Sequence, residues 1–283
     1  MNLFQSVRTA LRLLMLTACV LLLPIYSVSA ASMATYFAPA EQTQSVSDDV
    51  ELTHDLWQSL LDDYLIKDGS GVNRFDYSGV SPADKSKLET YLDELQGVVV
   101  TRLPRDEQMA YWINLYNALT IKVILDHYPV ASIRDISYGL LDWGPWPEEL
   151  VIVEGYELSL NNIEHDILRP LFTDNRIHYA VNCASIGCPN LQMSVFRGPN
   201  LDQMLDQAAV EFINHPRAVS VRDKSLTLSS IYEWYYTDFA RTDSDLIAHL
   251  RQYARPALLQ KLESDLRIVD YVYDWSLNLP DAD

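Results

Sequence analysis

Residues 104–129 read PRDEQMAYWINLYNALTIKVILDHYP and decide the fold of this 283-residue chain. Pro104 opens the segment, acidic residues follow in the first turn, and Pro129 ends it, which is how helices begin and end. This is the longest and most apolar helix that the sequence predicts. We therefore expect it to be the central helix of the fold.

Further elements are predicted on both sides of this helix. Before it lie helices over 50–66 and 81–95. After it come a hairpin over 151–158, a helix over 161–172, a strand over 177–182, a helix over 201–213, a hairpin over 219–228, three helices and a final strand over 268–273. Hairpins separated by helices, without βαβ alternation, indicate an α+β fold. We expect a helix-rich single domain with a small antiparallel sheet built from hairpins.

Composition and charge exclude several classes of function. The chain has 21 Lys and Arg against 39 Asp and Glu, a formal net charge of −18. Neutralising nucleic-acid phosphates or docking on an anionic membrane requires the opposite sign, so neither partner is expected. The sequence contains no Gly-rich phosphate loop, nucleophile elbow or dinucleotide fingerprint, and no cofactor is predicted.

The first 30 residues have the pattern of a secretory signal peptide. Arg8 and Arg12 precede an apolar run over residues 13–25, and the small residues Val28-Ser29-Ala30 predict cleavage after Ala30. The run is short for a membrane span, so no stable span is expected after cleavage. We expect the chain in the periplasm or secreted, with 19 basic and 39 acidic residues left and a net charge of about −20.

A lipoprotein signal is the alternative interpretation of this segment. The stretch LTAC at 16–19 resembles a lipobox that would attach a lipid to Cys19. The residues after Cys19 are still apolar, where a lipoprotein normally becomes polar, so simple export is favoured. Residues 31–49 are small and polar and predict a flexible leader. Residues 50–283 are then the single globular domain.

Cys183 and Cys188 are the strongest candidates for chemistry. A cysteine nucleophile needs a nearby base or positive field to form its thiolate. His178 lies five residues before Cys183 on a predicted strand, which places the two side chains on opposite faces unless the chain turns. His165 is the other candidate base. The alternative is a structural Cys183–Cys188 disulfide, which an exported protein would readily form.

Glu164 and His165 form a second candidate pair. A carboxylate beside an imidazole suits general acid–base catalysis or metal binding, and Asp238 is a further acid that could orient a histidine. Glu164 also stands three residues after Asn161, the spacing of a helix capping box. His165 and His178 with a cysteine or an acid could hold zinc. No ligand spacing such as HExxH is present, so no metal site is predicted.

Two asparagines and two tryptophans are candidates for substrate binding. Asn114 and Asn117 share one face of the central helix, where buried amides need partners. They could bind a substrate amide or sugar, or they could hold the backbone of the cysteine segment. Trp143 and Trp146 stand in a turn-rich loop and could rim a groove for a peptide or glycan, or cover the domain surface.

Several motifs resemble one family. They are AYWINLYNAL (110–119), NIEH (162–165), RIHYAVNC (176–183), CP (188–189), LSSIYEWY (228–235) with DF (238–239), and DWSLN (274–278). On these motifs the chain resembles the domain of unknown function 547 family (DUF547) over roughly residues 75–278. The resemblance implies an exported bacterial protein and carries no established activity.

Two functions remain open from the sequence. The first is a hydrolase or acyl transferase for amide or ester bonds, with Cys183 as nucleophile, a histidine as base, and Glu164 or Asp238 as the orienting acid. The second is a non-catalytic envelope protein with a Cys183–Cys188 disulfide, which would bind a small molecule, peptide, glycan or protein. The oligomeric state is not predicted.

Overall fold

The computed structural model describes residues 30–38, 52–139, 144–263 and 265–280, and its elements confirm the α+β class. The helices are α1 (Ala30–Tyr36), α2 (Asp55–Tyr64), α3 (Pro82–Gln96), α4 (Arg105–His127), a π-helix (Asn162–Leu168), α5 (Arg169–Phe172), α6 (Ile177–Ala180), α7 (Leu201–Ile213), α8 (Ile231–Trp234), α9 (Tyr236–Phe239), α10 (Asp243–Tyr253) and α11 (Pro256–Leu262). Three short 3₁₀ turns lie at Val100–Arg102, Ile133–Asp135 and Gly198–Asn200.

Helix α4 is the centre of the larger of two hydrophobic cores, as predicted. Every residue from 108 to 124 except Lys122 is buried. Over this stretch the helix has almost no solvent face, because its side chains are buried on nearly all sides. Helices α2 and α3, the π-helix and the residues around Cys183 pack around it.

The strands form three small sheets rather than one. Strands β1 (Leu65–Lys67) and β2 (Asn73–Phe75) are antiparallel, as are β3 (Glu149–Val153) and β4 (Tyr156–Ser159). The third sheet has the order β5 (Val219–Arg222), β6 (Ser225–Ser229), β7 (Arg267–Val272). Both long hairpins are therefore confirmed. However, β7 pairs with β6 in parallel, so this sheet is mixed.

The smaller core is built from the C-terminal third of the chain. Helices α7 to α11 and the third sheet enclose Phe212, Leu228, Tyr232 and Leu250. Residues 177–181 join the two cores, because Tyr179 is buried in the smaller core while Ala180 and Val181 belong to the larger one. The two cores therefore meet directly before Cys183.

The predicted strand over 177–182 is wrong, because Ile177–Ala180 is the short helix α6. The reason is tertiary. The side chain of Asn117 on α4 donates to Ala180 O (2.9 Å) and accepts from Asn182 N (2.8 Å), so a helix side chain takes the place of a strand neighbour. The β-like composition of this segment reflects burial rather than sheet pairing.

The predicted flexible leader also differs from the structure where it is described. Residues 30–36 form α1, and Phe37 is completely buried, 4.9 Å from the ring of Trp112. Two apolar residues, Met33 and Phe37, suffice to attach this polar segment to the core. The predicted signal peptide, Cys19 included, and residues 39–51 lie outside the described residues. None of the helices within the described ranges is both long enough and apolar enough to cross a membrane.

Candidate functional site

A pocket of about 350 Å³ opens where the two cores meet. Four of the five side chains predicted to be catalytic line it: Cys183, His178, His165 and Glu164. The rest of the wall is mostly aromatic or aliphatic: Tyr116, Trp146, Pro147, Asn161, Val181, Cys188, Pro189, Ile231, Trp234, Tyr235, Tyr273 and Trp275. The fold thus gathers the predicted chemistry into one largely apolar cavity.

The cysteine loop, residues 182–189, is closed at its base by Asn182. The side chain of Asn182 donates to Pro189 O (2.7 Å) and accepts from Ala184 N (2.8 Å). Its own backbone N–H donates to Asn117 of α4. Because Asn182 is buried, these bonds fix both ends of the loop against the central helix.

The C-terminal segment holds the other side of this loop. Ile186 N donates to Ser276 O, Gly187 N donates to Asp274 O, and Asn278 N donates to Ala184 O, at 2.8–2.9 Å. A Cβ added to Gly187 would lie only 2.7 Å from Asp274 N, so glycine is needed for this close approach. The DWSLN motif therefore serves to position the cysteines.

The two sulfur atoms lie 3.0 Å apart inside the loop. Cys183 is partly exposed to the pocket, and Cys188 is buried. Hydrogen bonds from Cys188, from Ser185 and from the Tyr273 hydroxyl lower the pKa of the Cys183 thiol, against the opposing effect of burial. Burial and the neighbouring Cys183 raise the pKa of Cys188. Cys183 is therefore the thiol that ionises first.

The predicted structural disulfide is not present, because Cys183 and Cys188 are both free thiols. A disulfide requires an S–S distance of about 2.05 Å, whereas these sulfurs lie at the distance of a hydrogen bond.

Glu164 and His165 are carried by the π-helix. Single π-helical turns inside longer helices occur frequently at functional sites, because the wider turn redirects side chains. The capping-box interpretation of Glu164 is wrong. Asn162 makes the local contacts instead, accepting from Ser159 N at 2.9 Å, while Glu164 is buried beside the pocket.

His178 is held by contacts on three sides. Its Nε2 lies 2.8 Å from Asp238 Oδ2, and Tyr235 stacks on its ring with centroids 4.0 Å apart. Its Nδ1 lies 3.7 Å from Glu164 Oε1 and has no hydrogen-bond partner in the described part of the chain, although the side chain is only 1% exposed. A buried imidazole nitrogen without a partner is unusual in a folded protein. With Nε2–H donating to Asp238, Nδ1 is a free acceptor.

Asp238 does not line the pocket, but it orients a residue that does, as predicted. Arg169 binds its carboxylate through two nitrogens, at 2.6 and 2.9 Å. Burial favours the protonated acid, but the hydrogen bonds from His178 and Arg169 outweigh it and hold the pKa of Asp238 well below its usual range. Arg169 also lies 3.3 Å from Nδ1 of His165, so it links the two histidines.

Cys183 and the histidines line the same pocket without a hydrogen bond between them among the described residues. Cys183 Sγ bonds to Cys188, Ser185 and Tyr273 instead. Five backbone N–H groups of the loop, those of Cys183, Ala184, Ile186, Gly187 and Cys188, have acceptors within the protein. The expected Cys–His contact is therefore not formed here, and these five amides are not free to bind an oxyanion.

Asn114 and Asn117, the candidates for substrate binding on the central helix, lie outside this pocket. Both are buried and neither lines the cavity. Asn114 pairs with the backbone of Phe196, donating at 2.7 Å and accepting at 3.1 Å, just as Asn117 pairs with residues 180 and 182. The sequence analysis also offered a structural alternative, in which these asparagines hold the backbone next to the cysteines. The hydrogen bonds of Asn117 agree with that alternative.

An aromatic rim surrounds the pocket mouth, and we define it as Trp146, Trp234, Tyr273 and Trp275. The ring of Trp275 stacks on Trp234 (centroids 5.5 Å apart) and meets Trp146 edge-on (5.8 Å). Trp234 is 47% exposed, which is high for a tryptophan. Trp146, one of the two predicted rim residues, lines the pocket, and Trp143 lies outside the described residues.

Sequence reasoning missed Tyr273, Tyr235 and Arg169 as site residues. Tyr235 and a further pocket residue, Trp275, belong to motifs that carry the family resemblance, so the sequence did contain evidence for them. No sequence pattern pointed to Tyr273, because its contact with Cys183 joins residues that are 90 positions apart in the chain. Within the described ranges, no group of three or more His, Cys, Asp or Glu side chains is arranged to hold a metal ion.

Comparison with known families adds one result. Residues 100–213 match the model of the family described as "Protein of unknown function, DUF547". This part of the chain is therefore similar to the DUF547 family. It contains α4, the π-helix and the cysteine loop, whereas Asp238, the aromatic residues Trp234 and Tyr235, and the C-terminal segment lie beyond it. No curated protein and no solved structure matches the chain.

Proposed function

We propose that the pocket is the active site of a thiol-dependent acyl transferase or hydrolase with Cys183 as the nucleophile. One observation carries the proposal. A partly exposed thiol with a lowered pKa and an Asp-oriented imidazole with a free nitrogen line one apolar pocket. Nucleophilic catalysis requires these two groups together.

Cys183 does not need an imidazole to form its thiolate. Three neighbouring donors, on Cys188, Ser185 and Tyr273, already stabilise the negative sulfur. A thiolate is the nucleophilic form of cysteine and attacks carbonyl carbon directly. His178 is therefore available for a different proton transfer.

His178 is the general acid and base of the proposed reaction. Asp238 fixes its ring through Nε2, so Nδ1 is the atom that exchanges a proton in the pocket. When Nδ1 is protonated, Glu164 Oε1 at 3.7 Å faces the new charge. Carboxylates on both sides stabilise an imidazolium, which favours its transient formation during turnover.

The steps balance as follows in an ester or amide substrate. His178 first takes up a proton from water at Nδ1. Cys183 Sγ then forms a bond to the carbonyl carbon, the bond to the leaving oxygen or nitrogen breaks, and His178 gives that atom its Nδ1 proton. The product is a thioester on Cys183. A water molecule, or an acceptor alcohol or amine, then loses a proton to His178 and attacks the thioester, which restores the thiolate.

The oxyanion formed in these steps needs donors other than the loop amides. Tyr116 and Tyr235 line the pocket, and burial together with Glu164 raises the pKa of both phenols, so both remain protonated donors. The apolar wall and the aromatic rim favour an acyl group that is itself apolar. Export to the periplasm or beyond is part of this proposal.

The test is acylation of the reduced protein by p-nitrophenyl esters with acyl chains from acetyl to decanoyl. We expect a thioester on the Cys183 peptide by mass spectrometry, no adduct in Cys183→Ser, and slower deacylation, by about 100-fold, in His178→Gln. His127→Gln, outside the pocket, is the matched histidine control. If no ester acylates Cys183 while the rim still binds apolar ligands, the pocket is a binding site and the enzyme proposal is wrong.

A further inference from the structure

We propose that Cys183 and Cys188 are a reversible dithiol–disulfide couple that exchanges with small thiol disulfides such as oxidised glutathione. This activity uses the same sulfur as the proposed acyl transfer but does not depend on it. It rests on the contact between the two sulfurs, on their unequal exposure and on one half-buried arginine, Arg217.

The two thiols have the unequal surroundings that thiol–disulfide exchange requires. Both cysteines line the pocket, but only Cys183 is partly exposed, so a disulfide can approach it, while Cys188 is buried 3.0 Å away. The attacking thiol must be accessible and ionised, and the resolving thiol need only reach the mixed disulfide. The lowered pKa of Cys183 and the raised pKa of Cys188 agree with these two functions.

The loop needs only a small movement to close the bond. The sulfurs must approach by about 1 Å to reach bonding distance. Asn182 already joins the two ends of the loop, and Ile186 and Gly187 at its tip are bonded to the C-terminal segment. The reduced loop therefore already holds the two sulfurs close to the positions that a disulfide requires, although no disulfide is formed.

Arg217 lies beside the cysteine loop, with its guanidinium 5.6 Å from the centre of the Phe212 ring. Its Nη2 donates to Asn190 Oδ1 at 2.6 Å, while the buried atoms Nε and Nη1 have no hydrogen-bond partner among the described residues. Within the described residues, no carboxylate forms an ion pair with it. Burial lowers the pKa of Arg217 to about 10, which still leaves it charged, and an ionised Cys188 would interact favourably with it.

An unpaired buried cation is costly unless an anion forms near it. The Cys188 thiolate, which must appear while the disulfide is made or broken, is the anion that this position fits. Arg217 is therefore a positioning residue for the couple: it stabilises the ionised form of a thiol whose burial otherwise disfavours ionisation.

The small disulfide that reacts is the oxidant in this exchange. The Cys183 thiolate attacks one sulfur of the small disulfide, forms a mixed disulfide and releases one thiolate. Cys188 then loses its proton and attacks Cys183 Sγ as a thiolate, and the second leaving thiolate takes up a proton as it departs. The protein loses two electrons and two protons, and the small disulfide becomes two thiols.

The test is equilibration of the full chain in glutathione buffers of graded oxidation, followed by alkylation and mass spectrometry of the 183–188 peptide. We expect a bridge whose population follows the buffer in both directions. Cys188→Ser should stop at a glutathione adduct on Cys183, and Cys183→Ser should form no adduct on the buried Cys188. Two free thiols in every buffer, or a bridge that no buffer reduces, overturns the proposal.

The function proposed for Arg217 is tested by the rate at which the mixed disulfide converts to the Cys183–Cys188 disulfide. Arg217→Gln should slow closure at least fivefold, and Arg217→Lys should restore most of the rate because it keeps the charge. Arg222→Gln, an exposed arginine on β5, is the matched control. Equal closure rates in Arg217→Gln and the control reject the assignment of Arg217. Because these assays need no ester, they fail or succeed independently of acyl transfer.

Discussion

The hydroxyl of Tyr273 lies 3.0 Å from Sγ of Cys183, although 90 residues separate them in the chain. This contact joins the end of the third sheet to the cysteine loop in the DUF547 segment. The backbone bonds of residues 274–278 hold the same loop. The site is therefore completed by residues that lie outside the family match.

Tyr273→Phe tests how this contact tunes the thiol. Removing the hydroxyl removes one donor to the Cys183 thiolate, so the pKa of Cys183 should rise. The pH profile of its alkylation by iodoacetamide should then move to higher pH, and the rate at pH 7 should fall several-fold. Tyr271→Phe, two residues earlier on β7, should leave the profile unchanged. An unmoved profile in Tyr273→Phe contradicts the assigned hydrogen bond.

Asn117→Leu tests the attachment of the cysteine segment to α4. The change leaves Ala180 O and Asn182 N buried without partners, which should lower the free energy of unfolding by about 2–4 kcal/mol. It should also change the alkylation rate of Cys183. The control is Asn114→Leu, which breaks the equivalent pair with Phe196 and should destabilise similarly while leaving the thiol rate unchanged. Urea unfolding and alkylation kinetics separate the two effects.

Gly187→Ala tests the close approach of the loop to the C-terminal segment. The added Cβ would meet the Asp274 backbone at 2.7 Å, so one of the two segments must move. We expect a loss of stability of about 1–3 kcal/mol, measured by urea unfolding, and weaker ionisation of Cys183. Gly69→Ala places its Cβ in open space and serves as the control. Equal stability of the two variants would show that the loop tolerates displacement.

Two buried histidines outside the pocket predict acid sensitivity. Burial lowers the pKa of both His54 and His249 to about 4, whereas an unfolded chain titrates near 6.5. Between these values the unfolded state binds more protons. Stability is therefore complete above about pH 6.5 and falls as the pH drops towards 4, by up to about 1.4 kcal/mol per pH unit for each histidine.

His249→Gln isolates one of these contributions. The difference in unfolding free energy between the variant and the parent should be constant above pH 6.5. Below that pH it should shift steadily in favour of the variant, because the variant has no buried imidazole to protonate. Urea titrations from pH 4.5 to 7.5 measure it. A difference that stays constant over this range would show that His249 protonates without cost in the folded state.

The helices and hairpins were predictable because their signals are local. The residues of α4, bounded by Pro104 and Pro129, and the Glu154-Gly155 turn between β3 and β4 fix their conformations within a few residues. The short α6 was mistaken for a strand because its apolar residues are buried by α4, which no local pattern shows. The π-helix likewise depends on contacts made with the rest of the fold.

The sequence by itself determined the α+β class, the central helix and the set of residues with reactive chemistry, because composition, periodicity and turn residues act over short distances. Only the tertiary structure decided which of these residues meet. It brought Asp238 into contact with His178, Tyr273 into contact with Cys183, and Arg217 next to the cysteine loop. It also showed that Asn114 and Asn117 form hydrogen bonds with backbone groups. Such pairings depend on how distant segments pack, since a hydrogen bond or a pKa shift is set by neighbours in space rather than by position in the chain.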